Sequence, residues 1–304
     1  MLKHTTTVGL LSLVLLSVPA CDSKDDSAAP SGSTEASAAP KKATVEVGSE
    51  IVAATSKTSF REGKVSKIEG SKVTFEYGTP DKKTNKRPTQ TVDKNKVWPI
   101  ANPYGPKAGD HLVCKVSTTS WHPCVVKTIE GEVIKIEDHY GKAHNVNKGA
   151  VLKPDAATQA NIKEFLAKEA KHRAFDKAFE AAGKPFKPAG WIPKKGEKIV
   201  IHFVGTSWYG GSVVEHKKDK GKVRIDWEGD TWDDRDVAPD EVAPQPNKPM
   251  DVKEGQFVIV RPKSATMRWE HNKILSVTDD ALEVVNRDDS KRKVSKNDVL
   301  PIVP

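Results

Sequence analysis

Four aromatic residues, Trp208, Tyr209, Trp227 and Trp232, fall in one short stretch of the chain. Ring faces are electronegative. Such a set can receive an ammonium or guanidinium group, above all an alkylated one that gives up little hydration. The alternative is that Trp208 and Trp227 plug a small core that needs large side chains. Four aromatics exceed what so small a core requires. Asp230, Asp233 and Asp234 would add attraction for a cation. A second group is Cys114 and Cys124, with His111, His122, His139 and His144 nearby. Two thiols can join as a disulfide, or bind a metal together with His139 or His144. Their spacing matches no compact metal-binding motif. Catalytic signatures are missing: the chain has no GxSxG, no P-loop and no HExxH. Acidic pairs such as Asp279-Asp280 and Asp288-Asp289 suit turns. No catalytic residue, metal or cofactor is assigned, and the chain is read as a non-enzyme.

The third cysteine belongs to an address. Lys3 and His4 precede an apolar run from Val8 to Val18, too short to span a bilayer comfortably but suited to a secretory signal. Ala20 stands directly before Cys21. The segment resembles a bacterial lipoprotein signal, which implies that residues 1–20 are removed and that Cys21 carries the lipid. Plain cleavage near Ala20 would instead leave Cys21 a free exported thiol. Asp22 fits an inner-membrane retention rule, but the choice of membrane stays open. Export places Cys114 and Cys124 where disulfides persist, which favours that pairing over a metal. Residues 21–45 are rich in Ser, Ala, Pro and charge, with almost nothing apolar to bury, and read as a flexible tether.

The remaining elements repeat. Four stretches open with Gly and an apolar pair: Gly48 with Ile51-Val52, Gly109 with Leu112-Val113, Gly196 with Ile199-Val200, and Gly255 with Val258-Ile259. A large side chain follows twelve residues after each Gly, namely Phe60, Trp121, Trp208 and Met267. An alternating run comes next, such as Val223/Ile225/Trp227, which marks a half-buried strand. Each copy closes with two valines five apart and a proline, as in Val237-Val242-Pro244. The middle gap is the longest. Its Ala-, Lys- and Glu-rich segment 155–183 reads as one helix, capped by Asp155 and stopped by Gly183 and Pro185. Ile162, Phe165, Leu166, Phe175 and Phe179 give it a broad apolar face, more suited to packing on its neighbours than to binding a partner.

The chain has 304 residues, 30% of them charged, with a mean hydropathy of -0.55, which excludes a multi-span membrane protein. Its formal charge of +8 favours anionic neighbours but is too mixed in sign for a polybasic nucleic-acid arm.

The order of Gly, apolar strand, aromatic-ended loop, apolar strand, alternating strand, then Val-x4-Val and Pro resembles Tudor and related SH3-like barrels. Residues 196–244 carry it best. The resemblance implies a mainly β fold of four tandem small SH3-like (Tudor-like) β-barrels, with one long helix between the second and third. The barrels would span 46–102, 107–154, 192–245 and 250–304, with the helical linker at 155–183. Small sheets with exposed edges are expected to curl shut, and neighbours to pair, first with second and third with fourth. The family places aromatics from two loops at one rim, which implies a ligand site at Trp208, Tyr209, Trp227 and Trp232. The expected protein is a lipid-anchored envelope scaffold. It would be held on the membrane by Cys21 and bind a protein or peptide, with a cationic or methylated group as the target. Peptidoglycan is the alternative ligand; nucleic acid is disfavoured by export.

Overall fold

The computed structural model describes residues 44–100, 104–205, 207–229, 232–263 and 268–304. The signal peptide, Cys21, nearly all of the tether, Asp230 and Met267 lie outside the described residues.

The chain forms two large open sheets and one long helix. Unit 1 has β1 (Glu50–Ala54), β2 (Phe60–Glu69), β3 (Lys72–Tyr77), β4 (Thr89–Asp93) and β5 (Val97–Pro99). Unit 2 has β6 (His111–Lys115), β7 (Trp121–Glu130), β8 (Val133–Asp138), β9 (Ala143–Asn147) and β10 (Val151–Leu152). Helix α1 (Ala156–Ala181) and the short β11 (Lys184–Pro185) follow. Unit 3 has β12 (Lys198–Val204), β13 (Ser207–Lys217), β14 (Lys222–Trp227), β15 (Arg235–Val237) and β16 (Val242–Pro244). Unit 4 has β17 (Phe257–Val260), β18 (Arg268–Val277), β19 (Ala281–Asn286), β20 (Lys291–Ser295) and β21 (Val299–Val303).

Within each unit the antiparallel order is fourth, third, second, first, fifth. The sequence leads one to expect four closed barrels, and the strand pairing corrects this. The fourth and fifth strands are joined by a single 3-10 turn, yet they do not pair, so no sheet closes. Two physical reasons stand out. In units 1 to 3 the fifth strand is only two or three residues long. The second strand, which lies inside each unit's sheet, finds its extra partner in the neighbouring unit, while the fourth strands stay at the edges. The second strands of adjacent units pair, Phe60 opposite Trp121 and Trp208 opposite Trp269. This merges units 1 and 2 into a ten-stranded sheet and units 3 and 4 into an eleven-stranded one that includes β11. Each second strand carries a register shift, as between Val213 and Glu215 in β13. An extra residue there bends the strand, so one half can serve its own unit and the other its neighbour.

Every unit has its own core, such as Ile199, Ile201, Val213, Val223, Ile225 and Val242 in unit 3. The opposite face of each first strand is covered too, which is why Ile51–Ala54 is apolar without alternation. Val52, Phe60, Trp98, Val113 and Trp121 meet Ile162 and Leu166 of α1 in one shared core. Val200, Trp208, Ile259, Trp269 and Leu300 meet Phe179 in the other. Asp155 caps α1 by accepting the Thr158 N–H at 2.9 Å. Among the described residues no helix is long and apolar enough to cross a membrane.

Candidate functional site

The residues at the end of each third strand decide what the rim of a unit can do. Trp227 ends β14 and pairs opposite Gly211. The same register places Tyr77 opposite Gly63 in unit 1, Asp138 opposite Cys124 in unit 2, and Asn286 opposite Asn272 in unit 4. One geometric position is therefore occupied by four different chemistries.

In unit 3 it is aromatic. Phe203, Tyr209, Trp227 and Trp232 form a four-ring cluster whose six pairwise centroid separations run from 5.1 to 6.0 Å. Five of the six contacts are near perpendicular; Phe203 and Trp232 are parallel, at 1°. These are the geometries that ring quadrupoles favour. Trp227 is the buried floor at 2% exposure, whereas Trp232 is 41% exposed on a bend between β14 and β15. Rings this close touch one another, so an alkylammonium enters only when one ring moves. Trp232, carried on no strand, is the ring free to do so. The Arg235 guanidinium sits 5.5 Å above Phe203, a cation already placed on the cluster's rim.

Three of the four expected aromatics are thus brought together, and Trp208 is not among them. Successive side chains on a strand leave opposite faces. Tyr209 joins the cluster, so Trp208 points the other way, into the core shared with unit 4 and α1, with 8% exposure. Its ring lies 4.8 Å from His202. Phe203, which takes its place in the cluster, was missed by the sequence argument. Its signal was an aromatic near the end of a first strand, in register to meet the second strand near Tyr209.

The other rims differ. In unit 1 the Arg61 guanidinium lies 4.4 Å over Tyr77, so the chain fills that site with its own cation. In unit 2 the Asp138 carboxylate is 2% exposed and accepts from the Tyr140 and Lys142 N–H groups and from His144, each at 2.9 Å. Burial alone would raise its pKa, but these bonds hold it below the ordinary carboxylate value. His122, 3.9 Å away, and His139 are pushed below the usual imidazole range by burial. Cys114 and Cys124 are joined as a disulfide inside this unit's core, with Cα atoms 6.0 Å apart. The bond removes both thiolates from metal binding. Among the described residues no group of three or more His, Cys, Asp or Glu could hold a metal.

No protein-family model matches the chain, and no curated protein matches it. Among solved structures it is similar, at low identity, to Tudor-, Agenet- and MBT-like β-domains. The AGD34 portion of Arabidopsis thaliana AGDP1 is 14% identical with a TM-score of 0.28, over 37% of this chain and 84% of that one. Tandem Agenet domain 3-4 of ADCP1 is 10% identical with a TM-score of 0.26, over 43% and 95%. The four MBT repeats of Drosophila melanogaster Sfmbt, in complex with a peptide, are 12% identical with a TM-score of 0.15, over 84% and 88%.

Proposed function

We propose that this protein is a non-enzymatic binding module that captures a protein or peptide through unit 3, with an alkylated or cationic side chain as the anchor. The observation that carries this reading is the convergence of Phe203, Tyr209, Trp227 and Trp232, two of them exposed, at one rim. Desolvated cation–π contacts on such a cluster contribute about 2 kcal/mol or more. Arg235 over Phe203 supports the chemistry from within the chain. The lipobox-like segment ending at Cys21 supports a lipid-anchored role in the bacterial cell envelope. The units around the third then act as scaffold.

The test is a titration of the full chain, followed by the indole N–H signals of its tryptophans, with peptides bearing lysine, trimethyllysine or norleucine. The reading expects the Trp232 and Trp227 signals to move with trimethyllysine and not with norleucine. It also expects Tyr209→Ala to shift the response to about tenfold or more higher peptide concentration. Muropeptides that move the same signals, while trimethyllysine peptides do not, would make the protein a wall anchor instead.

A further inference from the structure

Unit 4 turns the same rim into a charged cavity. Taking the register shifts of β13 and β18 as equivalent points, Glu270 stands where unit 3 has Tyr209, and Asn286 where it has Trp227. A cavity of about 380 Å³ opens there, lined by Arg268, Glu270, Asn286, Arg287, Asp288 and, from α1, Asp176. Its carboxylates are already engaged. Glu270 pairs with Arg292 at 2.8 Å; Asp288 pairs with Lys168 at 2.8 Å and His172 at 3.0 Å. Asp176 pairs with Arg287 at 3.4 Å and His271 at 3.6 Å. The Arg268 side chain has no ion-pair or hydrogen-bond partner among the described residues. An uncommitted guanidinium beside acids that each have a Lys or Arg partner attracts an anion. Its planar fork matches a carboxylate with two parallel hydrogen bonds.

Arg268 also has a fixed place relative to the ring cluster. On the β13–β18 ribbon it lies directly opposite Tyr209. The two side chains leave the same face, with Cβ atoms about 5 Å apart. An extended peptide advances about 3.3 Å per residue. A group held against Tyr209 and a group held by Arg268 are therefore one or two residues apart on a bound ligand.

We propose that Arg268 and the cavity beside it form an anion subsite that takes an acidic side chain flanking the cation held by unit 3. The ligand is then a mixed-charge peptide, read by two units at once. This rests on the reading of unit 3 as a peptide binder.

The test uses the full chain and three pentapeptides: trimethyllysine flanked on both sides by Glu, the same peptide flanked by Gln, and norleucine flanked by Glu. The readouts are affinity, the Arg268 Nε–H signal and the Trp232 indole signal. The Glu-flanked trimethyllysine peptide should bind about fivefold or more tighter than the Gln-flanked one, as expected of a charge-assisted pair. Arg268→Gln should erase that preference, and Arg268→Glu should invert it. Lys57→Gln, a distant exposed charge, should leave it unchanged. Equal affinity for the Glu- and Gln-flanked peptides would overturn the proposal, as would an Arg268 signal unmoved by either Glu peptide. So would a loss of preference in Lys57→Gln as large as that in Arg268→Gln. Failure of the unit 3 reading looks different: Trp232 stays still, and norleucine serves as well as trimethyllysine.

Discussion

Trp208 and Tyr209 are neighbours in sequence, and the strand sends them to opposite faces, so substitution separates packing from binding. Trp208→Ala removes a ring from the core shared by units 3, 4 and α1 and should cost about 3–5 kcal/mol in a urea unfolding curve. Tyr209→Ala should leave most stability intact and weaken trimethyllysine-peptide binding about tenfold or more, the loss of one desolvated cation–π contact. The sequence made both residues visible as aromatics but not their facing, because the loop before them hid the phase of the strand. Asp138 gives a prediction in pH. Its folded pKa is lowered, so its contribution is present above the ordinary carboxylate value of 3.8 and is lost as pH falls through the lower folded value. The lowered His122 and His139 act in the same direction from higher pH, below 6.5. Unfolding measured at neutral and at acid pH should show Asp138→Asn losing less stability on acidification than the unaltered chain. An equal loss would place the sensitivity elsewhere.

At the scale of the element, the second strands do most of the organising, and in units 1 and 3 a glycine lets the third strand's end approach them closely. A Cβ at Gly211 would lie 2.5 Å from the Asp226 carbonyl oxygen and from Ile201 Cδ1. Gly211→Ala should therefore destabilise by about 1–3 kcal/mol through forced overpacking, read from a thermal melt. It should also displace Trp227, which pairs opposite. The disulfide clamps the equivalent strands of unit 2. Cys114→Ser, or reduction, should lower stability by about 2–3 kcal/mol for a loop of this length. The strands themselves were legible in the alternation of Val223/Ile225/Trp227, and α1 in its cap and its Ala-rich run. Closure was not legible. Sequence periodicity reports which face of a strand is buried, and it is silent on which strands pair with each other, within a unit or across two. Met267 was matched to the aromatic position in the fourth copy, yet Trp269 is the residue opposite Trp208.

For the whole molecule, the two sheets have separate shared cores joined through one helix. Ile162 and Leu166 belong to the first and Phe179 to the second. Calorimetry should then resolve two transitions. Ile162→Ala should lower only the one belonging to units 1 and 2, and a single transition moved as a whole would refute this. Among the described residues, unit 3 is the rim where four Phe, Tyr and Trp rings meet, with Trp232 exposed on a bend. Arg61 covers Tyr77 in unit 1, unit 2 sets His122, His139 and Tyr140 around the Asp138 carboxylate, and unit 4 places charge there. The most direct check on that claim is in-cell photo-crosslinking from position 232, with mass spectrometry of the captured species and Tyr209→Ala as the control. The account predicts a discrete protein adduct that the control loses. Muropeptide adducts, or protein adducts that persist in Tyr209→Ala, would contradict it.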